Sequence, residues 1–109
     1  IRRIIEYCDC IEDNVREFGS DEEDFLDSHV FQSSCAFYIL QIGETAKRLS
    51  AEFIIDNPCA DWSYVAKLRD VIAHQYGVVD LHILWETSIK DIPQLKIICE
   101  RALYDFIFR

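Results

Sequence analysis

The chain has 109 residues, of which 50% are hydrophobic and 28% charged, so we expect one compact domain covering residues 1–109. Only three glycines and two prolines interrupt it, which excludes a turn-rich β protein and a glycine-rich phosphate loop and favours an all-α fold. Its net charge of −9 argues against broad, non-specific binding of nucleic acid. Ten of the 20 acidic residues fall in residues 1–27, so an anionic ligand should meet the remainder of the chain.

The hydrophobic spacing and the capping residues predict a series of helices with short connections. The predicted elements are a first helix over residues 2–18, a short acidic turn over 21–27, a long helix over 30–55, a third helix from Trp62 towards Gly77, and a helical segment over 81–107. Asp61 and Ser63 are N-cap candidates for the third helix, and Asp80 starts the last segment. Asp91-Ile92-Pro93 either breaks that segment or bends it. The fold predicted from this pattern is a bundle of four or five helices.

The long helix carries apolar residues on two opposite sides. One side holds Phe31, Cys35, Ile39, Ile42, Ala46, Leu49 and Phe53, and the other holds Phe37, Leu40, Ala51 and Ile55 together with Glu44 and Arg48. The second side either meets another subunit or is packed within the monomer around a central helix. We favour the first interpretation, a two-fold homodimer.

Neither a membrane span nor a metal site is predicted. No apolar run approaches the roughly 20 residues of a transmembrane helix, and acidic residues interrupt the stretch in which a secretory signal would be apolar. The five cysteines lack the paired spacing of zinc ligands, and His29 and His82 have no ligand partner at helical spacing. We expect a soluble, cytoplasmic protein with reduced, mostly buried thiols, no metal and no other cofactor.

Arg69 lies in the middle of the apolar stripe of the third helix, because helical geometry places Trp62, Val65 and Ile72 within about 60° of it. A guanidinium there must meet a carboxylate, an anionic ligand or an interface, since an unpaired charge in a low dielectric is costly. A structural ion pair with a residue such as Glu44 and a functional anion site both satisfy this requirement.

His74 follows Arg69 by five residues, roughly 140° around the helix, in the last turn before Gly77. A helix C-terminus favours the protonated imidazole, and in this setting a histidine can transfer a proton near neutral pH. A lone histidine is more often structural, so its position leaves both roles open.

The segment LRDVIAHQYG places Arg69, His74 and Tyr76 in an R-x4-H-x-Y pattern, which resembles the motif of HEPN-domain ribonucleases of the HepT toxin type. One position departs from the family pattern: many relatives have Asn after the motif arginine, where this chain has Asp70. The carboxylate of Asp70 can orient His74, raise its pKa, or cap a neighbouring group.

The resemblance extends over nearly the whole chain. LQIGETAKRLS at residues 40–50 is similar to the long-helix segment of the family, and three further features fall where the family has comparable ones. They are Trp62, the VVD at 78–80 and the IPQLK at 92–96.

The resemblance implies an all-helical HEPN-like domain that dimerises and cleaves RNA, without a metal ion, at a composite interface site formed by Arg and His of both subunits. Arg69 and His74 occupy those motif positions. It also implies a type VII toxin–antitoxin pair, in which a minimal nucleotidyltransferase neutralises the toxin by attaching adenylate to the motif tyrosine, here Tyr76.

Three further residues can support such a site. Glu44 can hold Arg69 in place, although an intrahelical pair with Arg48 is the alternative. Lys47 and Arg48 can contact RNA phosphates outside the catalytic centre, or serve only as solvated cations. Two function hypotheses follow: an endoribonuclease toxin, and a catalytically silent helical adaptor that binds a nucleotidyltransferase or a nucleotide, with Arg69 in an ion pair.

Overall fold

The computed structural model describes residues 1–58, 60–75 and 80–108, with His74 and Gln75 described as helix backbone only. All regular structure in these residues is helical, so the predicted all-α class is confirmed. The elements are α1 (Arg2–Phe18), α2 (Glu22–Leu26), α3 (His29–Ala46), α4 (Ala51–Asp56), α5 (Trp62–Gln75), α6 (Leu81–Glu86), a π-helical turn (Thr87–Asp91) and α7 (Ile92–Ile107). No helix in this part of the chain is long and apolar enough to cross a membrane.

Four of these helices are long, namely α1, α3, α5 and α7, and they form the predicted bundle. Helix α3 is central, because α1 packs along it on one side and α5 on the other. Its predicted inner side is buried from Phe31 to Ala46. Helix α7 packs mainly against α1, so α5 is held chiefly by its contact with α3.

The predicted long helix over residues 30–55 is wrong in its second half, because the chain leaves helical geometry between residues 47 and 50. The amides of Arg48 and Leu49 bond to carbonyls three residues back, which is the tightened end of a helix. Ser50 is extended, and its hydroxyl accepts the amide of Phe53 at 3.1 Å. This serine N-cap starts α4 as a separate helix.

The break also changes the second apolar side that was predicted for the long helix. Ala51 and Ile55 belong to α4, so they do not continue the face formed by Phe37 and Leu40 on α3. Phe37 is 54% exposed, whereas Leu40 is half-buried and packs against the core. The two-fold homodimer therefore stays a prediction.

The segment over residues 81–107 stays helical throughout, with Asp80 as its N-cap, as predicted. Pro93 lacks the amide that would bond to the carbonyl four residues back, and its ring crowds that carbonyl. The preceding turn accordingly widens to the π form. Thr87 and Ser88 donate their hydroxyls to the carbonyls of Ile83 and Leu84, at 2.8 and 2.9 Å, which satisfies these buried side chains inside the turn.

A single lysine ties α7 to α1. Lys96 lies 2.7 Å from a carboxylate oxygen of Asp9 and 3.0 Å from one of Glu12, and its side chain is 24% exposed. These two carboxylates raise the pKa of Lys96 above its ordinary value, so it stays charged. The contact also neutralises part of the acidic N-terminal region.

The cysteines in the described residues are free thiols, as predicted. Cys8, Cys35 and Cys99 are buried, and Cys10 is partly exposed. Burial raises the pKa of Cys8 and of Cys99 to about 12, so both remain protonated. They therefore act as small core residues, and Cys59 lies outside the described residues.

Gly43 lies where α3 crosses α5. A Cβ atom at this position would overlap the Cβ of Arg69 and lie 3.1 Å from the carbonyl oxygen of Val65. The missing side chain thus allows the two helices to approach closely, with Arg69 directly at the crossing.

We expect Gly43→Ala to destabilise the protein by about 1–3 kcal/mol, because the added methyl group forces the two backbones apart. The measurement is the free energy of unfolding in urea. Gln41→Ala, on the same helix, is the matched control and should stay close to wild type. A higher free energy of unfolding for Gly43→Ala than for wild type would contradict this prediction, because it would show that the greater helix propensity of alanine outweighs the steric overlap.

His82 on α6 pairs with the acidic helix α2. Its Nδ1 atom lies 2.5 Å from Glu22, and its Nε2 atom lies 3.9 Å from Glu86. The hydrogen bond and charge of Glu22, followed by the weaker effects of Glu86 and Asp80, raise the pKa of His82. The pair therefore stabilises the folded state below the unfolded-state pKa of about 6.5, and this contribution is lost as pH rises through the higher folded-state value.

We expect Glu22→Gln to lower the pKa of His82 towards its ordinary value, as measured by NMR titration of the imidazole. Glu23→Gln, which changes the neighbouring exposed carboxylate, should leave the titration unchanged. Equal shifts in the two variants would indicate a general effect of the acidic helix and contradict a specific pair.

Candidate active site

Helix α5 presents the motif residues, and two features of its sequence position it. Asp61 accepts the amide of Tyr64 at 2.9 Å, which is the predicted N-cap. Trp62, Leu68 and Ile72 are buried on the inner face of the bundle. The helix is thus anchored by one apolar face, and Arg69 lies at the edge of that face.

Arg69 is partly buried, with 23% of its side chain exposed, and it is paired within its own chain. Its Nε atom is inaccessible to solvent and lies against the carboxylate of Glu44, and its Nη1 atom donates to Asp70 at 3.0 Å. The structure therefore places Glu44 against Arg69. Among the described residues, Arg48 forms no ion pair and is exposed on the turn that follows α3.

Lys47 extends this contact into a cluster of four charged residues, Glu44, Lys47, Arg69 and Asp70. The Nζ atom of Lys47 lies 2.5 Å from Asp70, whose carboxylate also accepts from Arg69. Hydrogen bonds from Lys47 and then Arg69 hold the pKa of Asp70 below its ordinary value, so Asp70 is ionised. The cluster joins the end of α3 to α5 and has no net charge.

Asp70 had three possible roles, and the described contacts bear on one of them. Its carboxylate caps two neighbouring cations, Lys47 and Arg69. His74 follows one turn later on α5, and its side chain lies outside the described part of the structure. An effect of Asp70 on His74 therefore stays a prediction.

Arg69 retains hydrogen-bonding capacity in this arrangement. A guanidinium has five N–H donors, of which one faces Glu44 and one binds Asp70. The remaining three belong to Nη1 and Nη2, and no described residue accepts from them. Because the side chain is also partly exposed, these donors can bind an anion such as a phosphate.

The other motif residues lie at or beyond the end of α5. His74 belongs to the last turn of the described helix, about 140° around the axis from Arg69. Tyr76 and Gly77 lie outside the described residues, as do Val78 and Val79 of the VVD segment. Of the three motif residues, the structure therefore describes the side chain of Arg69 and the backbone position of His74.

The sequence did not single out Gly43, and for Lys47 it offered RNA phosphates or solvent, but not Asp70. The segment IGETAKR nevertheless contains features that could have predicted the close approach at Gly43 and the contact of Lys47 with the neighbouring helix. A glycine in the interior of a helix costs stability unless another backbone approaches it. Glu44 and Lys47 are three residues apart, so they project from the same side of α3 as a matched acid and base for the neighbouring helix.

Comparisons with known proteins identify the family to which the chain belongs. The family model described as "Ribonuclease HepT-like" matches residues 4–102. A protein named "Probable ribonuclease HepT" from Thermococcus cleftensis is 36% identical over 93 residues, which are 85% of this chain and 83% of that protein. A protein designated a candidate RNase in Caldanaerobacter subterraneus subsp. tengcongensis is 31% identical over 96 residues, covering 88% of this chain and 84% of its own length.

A third relative shows the same segment within a longer protein. It is named as a gamma-glutamylcyclotransferase and candidate RNase of Methanocaldococcus jannaschii, and it is 34% identical over 96 residues. That match covers 88% of this chain and 42% of the longer protein. No solved structure gives a significant match. On the family model and these relatives, the chain belongs to the HepT-like ribonuclease family.

Proposed function

We propose that the protein is a metal-independent endoribonuclease, the toxin of a type VII toxin–antitoxin pair, and that its site combines Arg69 and His74 of two subunits. The observation that carries this proposal is Arg69 itself. It is oriented by Glu44, partly exposed, and left with three donors, on a helix that carries His74 one and a half turns later. Membership of a ribonuclease family supports RNA as the substrate.

The proposed reaction is attack of a ribose 2′-hydroxyl on the adjacent phosphate. A base takes the hydroxyl proton, the bond from phosphorus to the 5′-oxygen breaks, and an acid protonates that oxygen. The products are a 2′,3′-cyclic phosphate and a 5′-hydroxyl end. His74 is assigned the proton transfers, and Arg69 donates to the phosphate oxygens on which negative charge increases.

Two subunits suit this chemistry better than one. A single chain offers one motif histidine for both proton transfers, and the backbone positions of Arg69 and His74 lie about 140° apart around the helix axis. A two-fold dimer brings two copies of each residue around one phosphate. The second histidine then acts as the acid while the first acts as the base.

Tyr76 is the proposed regulatory residue. The sequence, counted as a continuous helix, predicts position 76 about 20° from Arg69, and we expect a group attached to the Tyr76 hydroxyl to crowd the guanidinium. An adenylate would also add a negative charge beside the cation that has to bind RNA. The proposed antitoxin partner is accordingly a minimal nucleotidyltransferase.

One observation favours the second candidate, a catalytically silent adaptor that binds a nucleotidyltransferase or a nucleotide. Both carboxylates near Arg69 belong to its own chain, and they already balance the charges of Arg69 and Lys47. Such a cluster can fasten α5 to α3 without any substrate. The two candidates make opposite predictions for RNA cleavage.

We expect the purified protein to cleave single-stranded RNA in the presence of EDTA, and Arg69→Ala and His74→Ala each to slow cleavage by about 100-fold or more. The measurement is the initial rate on an end-labelled RNA, with product ends identified by mass spectrometry. Lys67→Ala, an exposed change on the same helix, is the control and should retain the wild-type rate.

Two results would contradict the proposed ribonuclease function. One is intact RNA with wild type and both variants, when the intact mass shows no adenylate that could explain inactivity. The other is a monomer by light scattering at micromolar concentration under the cleavage conditions, because it would remove the composite site.

We expect co-expression with a minimal nucleotidyltransferase to increase the intact mass by one or more adenylates and to abolish RNA cleavage. Tyr76→Phe should prevent the increase at this residue, since no phenol oxygen remains to attach the group. Tyr64→Phe, on the same helix, is the matched control and should be modified as wild type is. Modification that persists in Tyr76→Phe would place the regulatory site elsewhere.

A further inference from the structure

An open cleft of about 610 Å³ lies between the start of α1, the turn between α3 and α4, and the end of α7. This volume is within the range of small-molecule and cofactor sites, about 300–1,000 Å³. Its walls combine charged side chains with apolar ones, and they are formed by Ile1, Arg2, Arg3, Glu6, Leu49, Ser50, Phe53, Leu103 and Phe106.

Two arginines line one wall of this cleft. Arg2 and Arg3 are both exposed, and neither forms an ion pair with any described residue. In a chain with net charge −9, five of the ten described lysines and arginines lie against a carboxylate, namely Arg16, Lys47, Arg69, Lys90 and Lys96. Of the other five, only Arg2 and Arg3 line this cleft. Arg2 and Arg3 therefore provide positive charge for an external anion.

Aromatic rings also line this cleft. Phe106 is 70% exposed, and Phe53 is half-buried against Trp62, with ring centroids 5.8 Å apart. An exposed ring in the same cleft as two guanidinium groups matches the two parts of a nucleotide, since a base stacks on an aromatic face and a phosphate binds arginine.

The cleft lies close to the charged cluster around Arg69. Lys47, whose Nζ contacts Asp70, begins the turn that follows α3, and Leu49 and Ser50 at the end of this turn line the cleft. Two residues of chain span at most about 7 Å. A strand bound at Arg69 needs only a few nucleotides to reach the cleft.

We propose that this cleft binds the single-stranded RNA that flanks the cut site, with Arg2 and Arg3 on its phosphates and Phe106 stacked on a base. The inference rests on the proposed ribonuclease function and specifies its substrate, a strand that extends beyond the cleaved bond. Glu6 lies in the same cleft, and its carboxylate opposes phosphate binding.

The test measures RNA binding by the full chain carrying His74→Ala, so that the probe is not cut. The probe is a fluorescein-labelled, unstructured RNA of about 12 nucleotides, followed by anisotropy over a salt series. We expect Arg2→Gln with Arg3→Gln to weaken binding about tenfold and to reduce the slope of log K against log salt by about 1.4, because two phosphate contacts are lost. Glu6→Gln should tighten binding.

Matched variants separate the cleft from general charge and hydrophobicity. Lys67→Gln with Arg101→Gln removes two exposed cations outside the cleft that, like Arg2 and Arg3, form no ion pair with a described residue, and it should change binding less than twofold. Phe106→Ala should weaken binding about fivefold or more, whereas Phe108→Ala, which removes a ring of similar exposure outside the cleft, should not. Unchanged thermal unfolding confirms that each variant is folded.

Failure of the inference and failure of the proposed function give different results. If the cleft variants bind RNA as their controls do while the wild-type chain cleaves RNA, the inference is wrong and the ribonuclease stands. If RNA binds through the cleft but is not cleaved by the wild-type chain, the cleft is confirmed and the proposed reaction is wrong. In the cleaving chain, the cleft variants should raise KM for long RNA and leave the cleavage rate of a dinucleotide unchanged.

Discussion

The close crossing of α3 and α5 is the constraint on which the candidate site depends. Gly43 supplies the space, because a Cβ there would overlap the Cβ of Arg69. The approach brings Glu44 and Lys47 of one helix against Arg69 and Asp70 of the other. The Arg69 guanidinium thereby contacts the carboxylates of Glu44 and Asp70, while three of its N–H donors have no described acceptor.

If Arg69 binds RNA as proposed, the same cluster explains how an acidic protein presents this cation. The carboxylates of Glu44 and Asp70 lie against Arg69, and the four charges of the cluster cancel locally. The acidic residues of α2 and the rest of the N-terminal region give no general attraction for phosphate. The proposed RNA binding therefore requires a few placed groups, such as Arg2 and Arg3 in the proposed cleft. These two arginines lie within residues 1–27, where the charge distribution alone did not predict an anion site.

Helix packing also determines which surfaces are left for partners. Because α7 packs on α1 and α5 packs on α3, the motif helix lies at the side of the bundle rather than at its centre. A helix in that position can present its outer face and its C-terminal end to a second subunit while its inner face holds the core. This arrangement is compatible with the proposed two-fold site, which needs His74 and Arg69 from different chains.

The sequence alone determined the helical class and most helix boundaries, because periodicity and caps are local effects. The cost of burying a charge showed that Arg69 needs a partner, but it left open whether that partner is a carboxylate such as Glu44 or an anionic ligand. The sequence could not predict the break at residues 47–50, where a serine cap outweighs an apolar pattern that continues through it. Only the tertiary structure showed that Lys47 binds Asp70 and that Gly43 lies directly against the Cβ of Arg69. Both depend on how closely two helices cross, a distance set by the packing of the whole bundle.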